Sequence, residues 1–413
     1  MNSPMHVVFV HPAFPAQFGH IARRLAADPR YRCTFVSEEG EDAPEAVAIE
    51  AEGGPIERIR YRPTGDRRAS RYLTQDIEEE IAHAEGVFET LAQLRDSLRP
   101  DLIVGHAGWG STLFLHDLFP DIPVIDYIEY YIPPGDTGLR SDWPIRERTR
   151  LRRRVQNAGV LLHLESASAA YTPTRFQRSL VPERYRSKVR VIHDGIDTDF
   201  WRRSTEPSFI GGPQIVTFVS RGLEAMRGFD IFMEVARRIG EVLPAVTFFV
   251  VGSDEPTYGH DAELIDEPSL REHILARGQH DADRFRFLGW VPPESLLRIL
   301  SMSDLHIYLT VPFVLSWSLL DAMACGCTVL ASDTEPVREV ICHGRNGLLA
   351  GFSDVDALTR TAVSVLENPA AYADLGREAE RTIRRRYALD VVLPKLTAFF
   401  EEVAGRAESM RRP

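Results

Sequence analysis

Short apolar runs bounded by turn formers alternate with helix-length amphipathic stretches along the whole chain, and this alternation restricts the fold to parallel sheets covered on both faces. The runs that read as strands are residues 6–10, 33–37, 57–61, 102–105, 124–127, 170–172 and 189–193 in the first half. In the second half they are 215–220, 247–252, 285–288, 305–309 and 328–332. Sheets of this kind bind ligands at the carboxyl ends of their strands, so the loops that follow the strands are where chemistry is expected. Between the two sets, His193-Asp-Gly-Ile-Asp-Thr-Asp-Phe-Trp201 and the following Gly211-Gly-Pro are rich in turn formers and place a domain junction near residue 195. The glutamate-rich stretch 38–52 reads as an acidic loop.

A chain of 413 residues, 44% hydrophobic and 26% charged, is long enough for two domains with separate cores. Its formal charge of −12 argues against a nucleic-acid binder that relies on overall attraction to phosphate, while a local basic patch still suits a smaller anion. The four cysteines, Cys33, Cys325, Cys327 and Cys342, lack the paired spacing of a zinc site and read as free, buried thiols of a reducing compartment. Met1 leads into a strand near His6 without a charged leader, and no run reaches the roughly 18 apolar residues of a membrane span, so the expected location is cytoplasmic. Peripheral contact at the inner membrane face stays open. No Gly-Lys-Ser/Thr phosphate loop is present, which disfavours an ATPase.

Segment 310–333 holds a strand end, a small-polar helix start at Ser316 or Ser318, an acid at Asp321 and a second strand. A helix start offers unpaired N–H groups and the positive dipole end to a diphosphate, and a carboxylate one turn on accepts ribose hydroxyl protons. Ser and Asp also serve as plain helix caps. Strand 215–220 runs into Arg221-Gly-Leu-Glu-Ala-Met-Arg227-Gly, which puts two guanidinium groups six positions apart at a strand's carboxyl edge. Such forks hold phosphate oxygens and stabilise charge that builds on a leaving group; the alternative is a surface pair compensating Glu224 and Asp230.

The wording of 320–341, with Gly344-Arg-Asn-Gly-Leu-Leu-Ala after it, resembles the signature of the retaining nucleotide-sugar glycosyltransferases of family 4. The likeness covers nearly the whole chain. It implies a GT-B fold, α/β, with two Rossmann-like doubly wound parallel-sheet domains facing an interdomain cleft. The domains would be 1–195 on the acceptor side, 196–385 for the nucleotide sugar, and a C-terminal helix, 386–413, crossing back to the first. The segments near 371–387 and 390–408 read as the last two helices; in this fold both would cross back onto the first domain, the alternative being that they simply close the second.

The resemblance also implies site residues. Arg221 and Arg227 correspond to the family's Arg and Lys on the diphosphate, with Arg227 where Lys is usual. Gly252 belongs to the next strand-loop of the nucleotide site, and Trp290 and Val291 to the loop against which the base lies, Trp290 being equally compatible with hydrophobic packing. Gln17, Phe18 and Gly19 follow the first strand and would lie near donor or acceptor. His106 stands where the family has a histidine that touches the transferred sugar. Trp109, Glu129 and Tyr130 belong to loops over the same edge, suited to sugar or acceptor hydroxyls and equally to packing, as is Pro134-Gly-Asp136. Six arginines from Arg146 to Arg154 at helical spacing suit an anionic acceptor or a solvated, acid-paired helix.

The chain departs from the family at one place. The first of two glutamates separated by seven positions would fall at Phe313, and the usual Gly-Phe-Gly after it is here Val314, Leu315 and Ser316, with Trp317 and Ser318 opening the helix. A phenyl ring accepts no hydroxyl protons, so the sugar is held otherwise or that contact is missing. The implied reaction moves a sugar from a UDP- or GDP-linked donor to a hydroxyl of a glycan, a lipid-linked acceptor or a small molecule, as in polysaccharide biosynthesis. It retains anomeric configuration and requires no metal or other cofactor. A GT-B sugar-nucleotide epimerase or phosphorylase, and a non-catalytic nucleotide-sugar binder, are the alternatives.

Overall fold

The computed structural model describes residues 3–14, 16–40, 56–65, 71–133, 140, 142–204, 214–278 and 280–411. Most of the acidic stretch 38–52, the Pro134-Gly-Asp136 loop and the Gly211-Gly-Pro stretch lie outside the described residues. The chain divides into two compact units, one of Met1–Asp136, Glu147–Asp194 and Val392–Pro413, the other of Thr137–Arg146 and Gly195–Val391.

The first unit holds a seven-stranded sheet of β1 (Met5–Val10), β2 (Tyr31–Glu38), β3 (Ile56–Tyr61), β4 (Leu102–His106), β5 (Val124–Tyr127), β6 (Ala169–Thr172) and β7 (Val189–Val191). Their spatial order is 3-2-1-4-5-6-7 and every pairing is parallel. The inner strands are buried on both faces, which is why they read as unbroken apolar runs, whereas the edge strand β3 (Ile-Glu-Arg-Ile-Arg-Tyr) carries charges among its apolar residues.

The second unit repeats the plan with β8 (Ile215–Gly222), β9 (Thr247–Ser253), β10 (Phe285–Phe287), β11 (Leu305–Tyr308), β12 (Val329–Ser332) and β13 (Leu348–Ala350). The order is 10-9-8-11-12-13, again all parallel. All twelve expected strands are present to within about two residues at their ends; β13, three residues long, is additional. Both orders reverse next to the first strand of the unit, between β1 and β4 and between β8 and β11. Connections leaving the two strands of such a pair go to opposite faces, so a crevice opens at their carboxyl ends.

Of the two helices expected to cross, Pro369–Arg386 stays with the second unit, where Ala379 and Ile383 join a core with Leu319, Leu320 and Met323. Only Leu389–Arg411 passes on: Val392, Leu396, Phe399, Phe400 and Val403 recur at helical spacing and pack into the first unit's core with Phe9, Tyr171 and Ile192. The arginine-rich segment forms the helix Glu147–Ser166, and its charges have local partners: Arg152 bonds Asp76 at 2.6 Å and Arg148 lies 4.5 Å from the Tyr72 ring. At Arg152 the helix has the acid partner that the acid-paired reading expects. All four cysteines are free, but Cys342 is exposed rather than buried, because it sits in a tight turn where its N–H donates to Asn346 Oδ1. Among the described residues no helix is long and apolar enough to cross a membrane.

Phe400 is buried with its ring 6.4 Å from that of Phe9. Phe400→Ala is expected to destabilise the first unit by about 3–5 kcal/mol, read as a lowered urea midpoint; an unchanged midpoint would show that the terminal helix is not part of that core.

Candidate active site

At the crevice of the first sheet, β1 delivers His11 and β4 ends in His106, with ring centroids 5.5 Å apart and nearly perpendicular. Trp109, in the turn Ala107–Trp109 after β4, is 42% exposed and lies 6.0 Å from the His11 ring and 6.3 Å from the His106 ring. Nδ1 of His106 accepts the Gly108 N–H at 3.1 Å, so the neutral ring carries its proton on Nε2. That Nε2 is buried without a hydrogen bond and stands 3.6 Å from Glu129 Oε2, too far to bond it. A buried polar atom of this kind fits a hydroxyl brought in by a ligand. Glu129 is fixed through its backbone, whose carbonyl accepts a bond from Gln177; Tyr130 follows, half-buried.

Gln17 and Gly19 flank the same crevice, Gly19 as the first residue of the helix Gly19–Ala26. Phe18 does not belong to a ligand surface. Its ring is wholly buried, edge-on to Tyr127 at 6.2 Å, because the turn before the helix points it into the core.

Beneath this edge, the helix Gln75–Gln93 packs against the Ala107–Trp109 turn and carries a buried carboxyl, Glu80, whose Oε2 has no partner. Burial, with Asp76 and Glu79 adding their negative charge, pushes this carboxyl up to about 8 from an ordinary 4.5. The folded chain therefore keeps a proton that the unfolded chain releases between those values, so stability falls as pH rises through that window. Glu80→Gln is expected to raise the thermal midpoint at pH 8 and to leave it nearly unchanged near pH 4.5; an equal shift at both would contradict the assignment.

In the second sheet, four loops meet at the crevice. The chain bulges between Val219 and Gly222, the Leu223 N–H donates to Ser253 O at 2.9 Å, and the Gly252 N–H to Gly289 O at 3.0 Å. Gly252 has φ +154°, and a Cβ there would come within 2.6 Å of Ser220 O, so a side chain would drive the loops apart. Val311 N–H donates to Met226 O at 3.0 Å, joining the loop after β11 to the Ala225–Arg227 turn.

The two arginines differ. Arg221 is exposed and makes no hydrogen bond or ion pair among the described residues. Arg227 is 6% exposed, donates to Thr310 Oγ1 at 3.0 Å and Val314 O at 2.9 Å, and lies 5.2 and 5.7 Å from the Phe313 and Tyr258 rings. Neither compensates Glu224 or Asp230. The carboxylate of Glu224 accepts backbone N–H groups of Thr257, Tyr258 and Gly259, and Asp230 pairs with Arg140 at 2.7 Å.

Ser316 caps the helix Trp317–Ala324, accepting the Ser318 N–H at 3.3 Å, while its own N–H donates to the Tyr308 hydroxyl at 3.0 Å. The helix start thus faces the carboxyl edge next to Arg221's strand, with Ser318 Oγ 3.4 Å from Val219 O. Asp321, one turn in, is 8% exposed, and no hydrogen bond to its carboxylate occurs among the described residues. Burial pushes its carboxyl well above the usual range. An incoming pair of hydroxyl donors would relieve that cost.

The other expected residues separate into two groups. Trp290, 61% exposed, and half-buried Val291 follow β10, and Trp317, the first residue of the helix Trp317–Ala324, is exposed. Phe313 and Leu315 are buried, Phe313 against Tyr258 at 5.4 Å and Leu315 in the core, so neither ring nor isobutyl group forms an open donor surface; Val314 contributes its carbonyl to Arg227. Sequence reading gave no site role to His11, Thr310 or Glu224. Glu224 had a signal only as a charge beside Arg227, and nothing in its spacing connects it to residues 257–259.

Solved structures share this architecture across almost the entire chain. A sucrose-phosphate synthase from Thermosynechococcus elongatus matches with a TM-score of 0.70 at 16% identity, over 97% of this chain and 100% of that one. The Anabaena protein HepE in complex with UDP-glucose matches with a TM-score of 0.67 at 17% identity, over 96% and 100%. The fold is GT-B. Two family models match in sequence, Glycosyl transferase family 4 group over residues 30–201 and Glycosyl transferases group 1 over residues 199–382. The chain belongs to the family 4 glycosyltransferases. A curated relative, the 2-deoxystreptamine N-acetyl-D-glucosaminyltransferase of Streptomyces fradiae, is 26% identical over 362 residues, 85% of this chain and 82% of that protein. Another, the N-acetyl-alpha-D-glucosaminyl L-malate synthase of Bacillus anthracis, is 26% identical over 129 residues, 31% of this chain and only 33% of its own length.

Proposed function

We propose that this glycosyltransferase takes its sugar from a UDP- or GDP-linked donor, retains the anomeric configuration, and works without a metal ion. The supporting observation is the convergence at one strand-order reversal of an exposed Arg221, a capped helix start at Ser316 and a buried Asp321, both charged side chains lacking a partner among the described residues. In this reading Arg221, the remaining donors of Arg227 and the first-turn amides of Trp317–Ala324 hold the diphosphate. Asp321 takes the ribose hydroxyls, and Trp290 and Val291 lie along the base. The relative that carries UDP-glucose, HepE, supports a nucleotide-sugar donor.

Retention follows from a reaction on one face of the sugar. The bond from the anomeric carbon to the phosphate oxygen breaks, the bond to the acceptor oxygen forms on the same side, and the acceptor proton passes to the departing phosphate. No protein nucleophile is required. The negative charge that grows on the diphosphate is met by guanidinium groups and by the helix end, which is why a metal is not needed. His106 Nε2–H and Glu129 are assigned to hydroxyls of the transferred sugar or acceptor, with Gln17, Gly19, Trp109 and Tyr130 around them. Relatives named as a 2-deoxystreptamine N-acetyl-D-glucosaminyltransferase and a phosphatidyl-myo-inositol mannosyltransferase support a small molecule, a glycan or a lipid-linked hydroxyl as the acceptor. A cytoplasmic location, with or without peripheral membrane contact, suits such substrates.

Arg221→Ala is expected to lower kcat/KM by roughly 10²–10³ with an unchanged circular dichroism spectrum and thermal midpoint. Proton NMR of the first product formed should show the donor's anomeric configuration, with turnover undiminished in excess EDTA. A fully active Arg221→Ala protein, an inverted product or loss of turnover with EDTA would each overturn the corresponding part of the reading.

A further inference from the structure

The geometry points to Glu224 as a positioning residue for the donor diphosphate: it is the buried anion that fixes Arg227 and the Tyr258 loop in one arrangement. This rests on the nucleotide reading above. Glu224 is fully buried, yet its partners among the described residues are backbone amides and not cations. Oε1 accepts the N–H of Thr257 at 2.7 Å, Tyr258 N–H is shared between the two oxygens at 3.2 and 3.0 Å, and Gly259 N–H bonds Oε2. Bonds from amides to an ionised acceptor are about twice as strong as neutral ones, and a convergent set can hold a charge in a buried place.

The cradle is shaped for a carboxylate. A Cβ on Gly222 would come within 2.4 Å of Oε1 and one on Gly259 within 2.8 Å of Oε2, so the chain approaches the anion from both sides where only glycine fits. The main chain of Glu224 acts as well. Its carbonyl accepts the N–H groups of Arg227 at 3.1 Å and Phe229 at 3.2 Å, closing the turn that carries Arg227. A second carboxylate runs in the opposite direction, Asp261 accepting the Ala225 N–H at 2.8 Å. Each loop therefore inserts an acid into the other's backbone.

The consequence lies at Arg227. Its guanidinium group lies 5.7 Å from the ring of Tyr258, which Glu224 places, and 5.2 Å from that of Phe313, the two rings being 5.4 Å apart. No carboxylate pairs with Arg227 among the described residues, so its charge is left for a ligand while rings and a carbonyl fix its direction. Phe313 in this arrangement is a support for Arg227 and not a sugar ligand.

The test is titration of UDP, GDP, UMP and GMP into the full chain carrying Glu224→Gln, Tyr258→Leu, Arg227→Ala, Arg221→Ala or Glu224→Gln with Arg227→Ala. Gln supplies one acceptor where two are needed and turns an NH₂ toward N–H donors, so it is not conservative here. Glu224→Gln is expected to weaken whichever diphosphate binds by about tenfold, some 1.4 kcal/mol, and the matching monophosphate less than twofold. The double variant should bind the diphosphate no more weakly than Arg227→Ala alone, because Glu224 acts through Arg227. Tyr258→Leu should reproduce the selective loss, and it decides the matter if Glu224→Gln does not fold. Equal losses for mono- and diphosphate, or additive losses in the double variant, would overturn the positioning role. Unaltered diphosphate binding by Arg221→Ala would instead overturn the nucleotide reading itself.

Discussion

Parallel pairing with one reversal of strand order per sheet is the constraint from which the rest of this protein follows. Because β1 and β4 lie side by side, as do β8 and β11, the chain leaving each pair diverges to opposite faces. Except for Trp290 and Val291, which follow β10, the side chains given a chemical role enter on the segments that leave these strand pairs or a strand next to them. His11 and His106 arrive from β1 and β4; Arg221 and the cap at Ser316 arrive from β8 and from the loop after β11. The sheets themselves are apolar and buried, so they hold the loops in place without taking part in binding.

Loops at a sheet edge need something to hold them, and here buried carboxylates do so. Glu224 and Asp261 cross-link the loops after β8 and β9 through main-chain amides. In the first unit Asp126 accepts from Thr112 at 2.6 Å and lies 3.0 Å from His163 Nδ1, fixing the chain just after the Ala107–Trp109 turn. Burying such charges is costly, and burial leaves Asp261 with a carboxyl pushed up to about 6. The cost is offset only where amides or hydroxyls converge on the oxygens. At Asp321 no donor converges among the described residues, and that difference sets it apart from the carboxylates that brace loops.

Much of this was legible in the sequence, for identifiable reasons. Strands buried on both faces must be continuously apolar, so twelve of thirteen could be read; β13 is too short for a pattern and is held by its pairing with β12. The helix start at Ser316 and the acid at Asp321 carry a local signal, small polar residues followed by a carboxylate one turn later. The fate of Arg227 had no local signal. Its burial depends on Tyr258 and Phe313, 31 and 86 positions away in sequence, and on a carboxylate whose partners are more than thirty residues downstream. The same holds for Phe18, whose loop position suggested a ligand contact although Tyr127 and Phe9 draw its ring into the core. The path of the helix Pro369–Arg386 was also hidden, since its amphipathic face fits a core in either unit and contact with the Trp317–Ala324 helix decides it.

A crystal structure of the chain with UDP or GDP bound probes the central claim most directly. The diphosphate is expected within hydrogen-bonding distance of Arg221 and of the first-turn amides of Trp317–Ala324, with the ribose hydroxyls on Asp321. A nucleotide seated at another edge, or Arg221 turned to bulk solvent with the ligand in place, would contradict it.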